Sequence, residues 1–315
     1  MTTTGRIIVV VAAVAGLVTL TVVATKYLSP AEPKPSIPVP ADVQAPAGAP
    51  DAAAPIVGVA GAAGTPAASA PPVPAGPGEA IADDGLALAA SGRVIQAQLR
   101  LSEALRAGVD GPKGKAVREA LMGLAERAQL SSARLPEDTY SKTYVVARGD
   151  SVTRIGQKFL IPNELVMKLN GMSSPNLAAG QSIKVIQGPV NVELSKSRHE
   201  LQAWLGDTCI RVRQVGIGKA NSTPEGVFVV KNKIVSPPYQ PQHKAKSEFR
   251  EGGAPDNPLG TRWIDIGNHY GIHGTIDPTS IGGDVSEGCI RMHNKEVEEL
   301  CDLVVQGGSK VTVKP

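Results

Sequence analysis

Residues 191–218 read NVELSKSRHELQAWLGDTCIRVRQVGIG. Apolar and polar residues alternate through NVELSKSRHELQAWL and again through CIRVRQVGIG. That period of two belongs to half-buried strands. Turn signals follow in KANSTPEG (219–226), and then comes a further strand-like run, VFVVKNKIV (227–235). A helical stretch over 294–306 and a last strand, KVTVKP (310–315), complete a unit running from 190 to 315. Several short strands at regular spacing predict a β-rich domain.

Upstream, residues 143–187 read as a separate compact module. It opens with the strand TYVVA. Asp150 or Ser151 then caps a helix, SVTRIGQKF, and Asn163 caps a second, NELVMKLNG, which Gly171 stops. The strand QSIKVI closes a β-α-α-β order.

Residues 80–138 hold two amphipathic helical patterns, LALAASGRVIQAQLRLSEALRAG and KGKAVREALMGLAERAQLSSARL, separated by VDGPKG. Val94, Ile95, Leu99 and Leu105 line one; Val117, Leu121, Leu124 and Ala128 line the other. A helical hairpin is expected there, with no residues that carry chemistry. Residues 29–79 are rich in Ala, Pro and Gly, and have too few large side chains to offset chain entropy. They read as a semi-extended linker. Residues 7–25, IIVVVAAVAGLVTLTVVAT, carry no charge and are flanked by Arg6 and Lys26. Their length is close to the roughly 20 residues that cross a bilayer core as a helix. The expectation is an uncleaved transmembrane anchor over 1–28, with the bulk of the chain outside the cytoplasm.

The chain has 315 residues and a net charge of +3, too weak to argue for nucleic acid. Three cysteines do not make a disulfide framework. Cys301, in NKEVEELCDLVVQGG, shares a helical face with Val297, Leu300 and Val304 and reads as a buried core thiol. Cys209 sits in a strand pattern and also reads as structural. A Cys209–Cys301 bridge is left open by the sequence.

Cys289 differs. Residues 271–292 read GIHGTIDPTSIGGDVSEGCIRM, placing His273 sixteen positions before Cys289. A thiol is a good nucleophile only as thiolate and needs a base or a positive field. His273 ends a strand beside Gly274, and Gly288 allows a sharp turn that exposes the thiol. Backbone N–H groups of Gly288 and Cys289 are suited to a developing oxyanion, and Arg291 adds positive charge. One His and one Cys at this distance are weak evidence alone. His269 and His293 flank the pair, but the four potential donors His269, His273, Cys289 and His293 match no metal spacing. No metal is expected.

The segments YVVARGDSVTRIGQKF, LVMKLNG and LAAGQSIKV closely resemble the LysM domain, with Gly156 where Ala is more usual. That resemblance implies binding to N-acetylglucosamine-containing glycan. GIHGT, SIG and SEGCIRM resemble the YkuD-type L,D-transpeptidase motif HGT…S-x-G-C-x-R. VGIGKANSTPEGVFVV and NPLGTRWIDI agree with the same family's upstream stretches. The resemblance implies a β-sandwich-like catalytic domain over 190–315, acting on peptidoglycan stem peptides without a cofactor. Under it Cys289 is the nucleophile and His273 the base. Ser286, or the carbonyl of Gly274, orients the imidazole. Gly288 and Cys289 form the oxyanion hole, and Arg291 supports an acidic substrate or the local geometry. Many members carry a second His where this chain has Glu287. The long polar stretch 236–256 reads as a lid. The reaction implied is 3→3 cross-linking through a thioester. Transfer to water, giving an L,D-carboxypeptidase, or a non-catalytic peptidoglycan-binding scaffold, are the alternatives. The implied location is the cell envelope, anchored in the inner membrane and facing the periplasm.

Overall fold

A computed structural model describes residues 77–240 and 248–315. The anchor expected over 1–28 and nearly all of the linker expected over 29–79 lie outside the described residues. Among the described residues, no helix is long and apolar enough to cross a membrane.

Three helices come first: α1 (Pro77–Ala90), α2 (Val94–Arg106) and α3 (Gly111–Ala128). The single run expected over 86–108 is broken at Ser91–Arg93, where Gly92 adopts φ +79°, open to glycine and strained for other residues. The predicted hairpin is thus a three-helix unit. Leu99, expected on the packed face, is 45% exposed. The buried stripe of α2 instead follows Ala97, Leu101, Ala104 and Leu105, the i, i+4, i+7, i+8 spacing of one helical face. Pro112 stands in the first turn of α3, where its missing N–H leaves no helical bond unmade.

The next module pairs β1 (Ser141–Val145) antiparallel with β2 (Ser182–Ile186), around α4 (Val152–Phe159) and α5 (Asn163–Leu169). Ser151 caps α4, its hydroxyl accepting from the Arg154 N–H at 3.2 Å. Asn163 does not cap α5: Pro162 holds that position, and the Asn163 amide donates to Thr153 Oγ1 at 3.1 Å, tying α5 to α4. A Cβ at Gly156 would lie 2.7 Å from the Ile161 carbonyl oxygen, which explains glycine where alanine is more usual. The Lys184 ammonium donates to the carbonyls of Ala128, Ser131 and Ala133, joining this module to the end of α3.

The C-terminal domain is mainly β. Its larger sheet runs β5 (Thr208–Gln214), β4 (Glu200–Leu205), β3 (Val190–Ser195), β13 (Lys310–Lys314) and β7 (Gly226–Val229). A second sheet runs β12 (Ile290–Arg291), β10 (Tyr270–His273), β9 (Arg262–Gly267) and β8 (Asn232–Val235). A short pair joins β6 (Ile217–Gly218) to β11 (Asp284–Ser286). Both larger sheets and α6 (Asn294–Leu303) share one core that includes Leu194, Leu201, Ile264, Ile272, Val297 and Val311. Each such side chain stabilises the fold by about 1.5–3 kcal/mol on burial.

Both faces of β4 are buried. The outer one meets the three-helix unit, and a register shift between Ala203 and Trp204 sets Trp204 opposite Cys209. Trp204, Cys209 and Val212 cluster with Leu101, Leu105 and Leu121. Arg118 pairs with buried Glu200 at 2.5 Å, while Arg211 bridges Glu126 of α3 and Glu299 of α6. Cys209 and Cys301 are free thiols in separate clusters and do not pair. The stretch expected as a lid closes on itself at its base. Tyr239 and Arg250 exchange backbone hydrogen bonds at 2.9 and 3.0 Å, and the Asn257 amide donates to the carbonyls of Pro237 and Glu251.

Candidate active site

β10 and β12 run parallel, with Ile272 opposite Ile290 and His273 opposite Arg291. Cys289 precedes Ile290 and so stands beside Gly271. Alternation puts residues two apart on one face, so Cys289 and His273 share a face of neighbouring strands. Both are buried, at 5% and 4% exposure. Gly271 has no side chain, which leaves room there for the flat side of Trp263: a Cβ would lie 2.5 Å from that ring. Trp263, opposite His273 on β9, stacks on the imidazole with centroids 5.6 Å apart and planes 18° apart.

His273 Nδ1 lies 2.6 Å from the Gly274 carbonyl oxygen. A carbonyl can only accept, so Nδ1 carries the proton and Nε2 is left as the basic nitrogen. Of the two orienting groups expected, Gly274 is therefore the one in contact. The Ser286 hydroxyl is used elsewhere: it donates to the Cys289 carbonyl at 2.6 Å and accepts the Gly288 N–H at 3.1 Å. The Gly288 N–H expected in the oxyanion hole is thereby turned into the loop.

Gly288 adopts φ +141°, and a Cβ there would lie 2.5 Å from the Tyr270 ring and 3.0 Å from the Ser222 carbonyl oxygen. Its own carbonyl accepts from Thr223 Oγ1 at 3.0 Å, and Thr223 Oγ1 accepts the Gly218 N–H at 2.8 Å. The buried Lys196 ammonium donates to the Thr223 carbonyl at 3.1 Å. Arg291 is 7% exposed, and its backbone exchanges hydrogen bonds with Gly216 at 2.8 and 2.9 Å.

Burial first, and the Arg291 charge second, lower His273 to about 4, against the opposing pull of the Gly274 hydrogen bond. Burial, with a smaller push from half-buried Glu287, raises the Cys289 thiol to about 11 against the opposing Gly271 backbone and Arg291. At neutral pH the pair is a neutral thiol beside a neutral imidazole. His269 and His293 are both exposed.

The sequence singles out Cys289, His273, Ser286, Gly288, Gly274 and Arg291, and the structure brings all six into one loop-and-strand cluster. It adds Thr223, Trp263 and Asn294. Thr223 and Trp263 lie inside segments already conspicuous, STPEG and NPLGTRWIDI, without any sign of their contacts. Asn294 lies just beyond SEGCIRM.

Two family profiles match the chain: the LysM domain over 144–185, and the L,D-transpeptidase catalytic domain, YkuD, over 189–313. The putative L,D-transpeptidase YkuD of Bacillus subtilis is 35% identical over 180 residues, spanning 54% of this chain and 98% of that protein. Its counterpart in Bacillus licheniformis is 32% identical over 182 residues, spanning 55% of this chain and 98% of that protein. The putative L,D-transpeptidase YqjB of Bacillus subtilis is 40% identical over 143 residues, spanning 43% and 77%. With its catalytic and LysM domains both matched, and a relative aligned over nearly its whole length, the chain belongs to the YkuD-type L,D-transpeptidase family.

Proposed function

We propose that the protein is a peptidoglycan L,D-transpeptidase that forms 3→3 cross-links through a thioester on Cys289. The observation that carries this reading is the His273 Nδ1–Gly274 hydrogen bond, which leaves Nε2 as the basic nitrogen of a side chain on the strand next to Cys289.

The thiol rests protonated, so His273 acts as general base during attack rather than as partner to a standing thiolate. Cys289 Sγ attacks the carbonyl of the third residue of a donor tetrapeptide stem as Nε2 takes the thiol proton. The Cys289 N–H stabilises the oxyanion. The tetrahedral adduct collapses, the imidazolium proton passes to the departing D-alanine amine, and a thioester remains. The side-chain amine of an acceptor stem then attacks, gives its proton to Nε2, and leaves with the acyl group. Cys289 regains its proton. Arg291 favours the anionic states beside it. The LysM domain keeps the enzyme on glycan strands. The apolar segment 7–25 anchors it in the inner membrane, with the working domains in the periplasm.

Intact-protein mass spectrometry with purified disaccharide-tetrapeptide, beside Cys289→Ala, tests the reading. A thioester mass on the wild type only, followed by dimeric muropeptide, is expected. An adduct followed by tripeptide alone would make the enzyme a carboxypeptidase. Neither adduct nor product, from folded protein that binds glycan, would leave a scaffold.

A further inference from the structure

We propose that Asn294 is a positioning residue for this reaction: it locks the peptide plane that holds His273 in its reactive tautomer. The inference rests on the reading of Cys289 and His273 as nucleophile and base.

Asn294 is the first residue of α6, yet it does not cap that helix, and neither does the side chain of His293 at the N-cap. Its side chain turns to two other loops. Oδ1 accepts the N–H groups of Thr261 and Thr275, each at 3.2 Å, and Nδ2 donates to the Thr275 carbonyl at 3.1 Å. One amide thus ties the start of α6 to the chain entering β9 and to the chain leaving β10. The approach is close. A Cβ at Gly260 or at Gly274 would collide with Asn294 Oδ1. Those two glycines leave the space that the carboxamide fills.

The consequence follows from the planarity of one peptide unit. The Gly274 carbonyl and the Thr275 N–H belong to the same trans peptide and point in opposite directions. The N–H side is held by Asn294 Oδ1, and the carbonyl side accepts from His273 Nδ1 at 2.6 Å. Rotating that plane breaks both bonds at once. Asn294 therefore fixes where the Gly274 oxygen points, and that oxygen keeps the proton on Nδ1 and off Nε2. Without the clamp the plane is free to turn, and a buried imidazole with no fixed acceptor divides between its two tautomers. Only one of these can take a proton at Nε2.

The test uses the full chain, with histidine labelled by nitrogen-15 and His273→Gln to assign the resonances. The tautomer of His273 and the rate at which iodoacetamide alkylates Cys289 are measured in wild type, Asn294→Ala and Asn294→Asp. Wild type is expected to show the Nδ1–H tautomer. Asn294→Ala is expected to show a mixture with only about one tenth in the Nδ1–H form and so to alkylate about tenfold more slowly at pH 7. Asn294→Asp keeps an acceptor for both N–H groups and gives up only the Nδ2 donation to the Thr275 carbonyl. It is expected to retain the wild-type tautomer and alkylate within about threefold of the wild-type rate, so a rescue by the conservative variant separates positioning from a general loss of packing. A folded Asn294→Ala with one Nδ1–H tautomer and an unchanged rate would overturn the proposal. So would Asn294→Asp with the mixed tautomer, which also decides the matter if Asn294→Ala does not fold. If His273→Gln left alkylation unchanged, the base assignment would fall, while the tautomer comparison would still report whether Asn294 holds Gly274.

Discussion

Trp263 stacks on His273, ring centroids 5.6 Å apart and planes 18° apart, directly across the β9–β10 pair. This contact is part of the burial that strips water from the imidazole and carries its pKa down to about 4. An exposed histidine would lose its basic form below about pH 6.5. Here the base persists well into acid.

Acylation by a donor stem is therefore expected to stay level from neutral pH down to about 5 and to fall only as pH approaches 4. The measurement is the single-turnover rate of thioester formation across that range, in buffers of constant ionic strength. A midpoint near the usual histidine value would mean that water reaches the ring, and the stacked arrangement would not describe the working enzyme.

The same shift acts on stability, with a defined sign. The native imidazole titrates near 4 and the unfolded one near 6.5, so between those values the unfolded chain binds more protons. Stability must rise with pH through that window, by up to about 1.4 kcal/mol per pH unit from this group, and this contribution levels off above it. His273→Gln removes the contribution. Denaturant titrations at several pH values should show a shallower rise for the variant between pH 4 and 6.5. Parallel curves for the two proteins would count against the shift.

Much of this architecture is legible in the residues, because alternation and capping are local signals. The strands around Val192 and Ile210, the β-α-α-β order and a cap at Asp150 or Ser151 all follow from spacing of a few residues, and Ser151 is the one that caps. What the sequence misplaces depends on distant partners. Leu99 fits an amphipathic helix as well as Leu101 does, and only the break at Gly92 and the packing of α2 on the sheet decide between them. Trp204 alternates correctly, but nothing local says that three helices cover it. At the site, residue types make Cys289 and His273 candidates, and the resemblance of GIHGT and SEGCIRM to a family motif singles them out. The partner of each polar group is not local information. The Gly288 N–H goes to Ser286, and the Thr275 N–H to Asn294 nineteen positions away.

Gly288 tests how the cysteine is presented. Its φ of +141° belongs to a region that side chains rarely enter, and a Cβ would meet both the Tyr270 ring and the Ser222 carbonyl. Gly288→Ala is expected to lose about 1–3 kcal/mol of stability through backbone strain. Acylation should fall by more than tenfold, as the loop relaxes and carries Sγ away from Nε2, by analogy with the cost of small misplacements in other active sites. Thermal unfolding and the acylation rate read the two effects separately. A variant with normal acylation would show that the loop tolerates another path.

Thr223 tests the support beneath that loop. Its hydroxyl accepts from Gly218 and donates to Gly288, and the residue is 1% exposed, so water cannot replace either bond. Thr223→Val keeps the shape and removes both. It leaves the Gly218 N–H and the Gly288 carbonyl buried without that partner, at roughly 1–3 kcal/mol each. Thr223→Ser keeps the hydroxyl and loses only a methyl group, about 1 kcal/mol. The expected order of stability in urea is wild type, then Ser, then Val, and acylation should follow the same order, because the Gly288 carbonyl is one peptide bond from the nucleophile. If Val matched Ser in both measurements, the hydroxyl would not be what holds β6 to the cysteine loop.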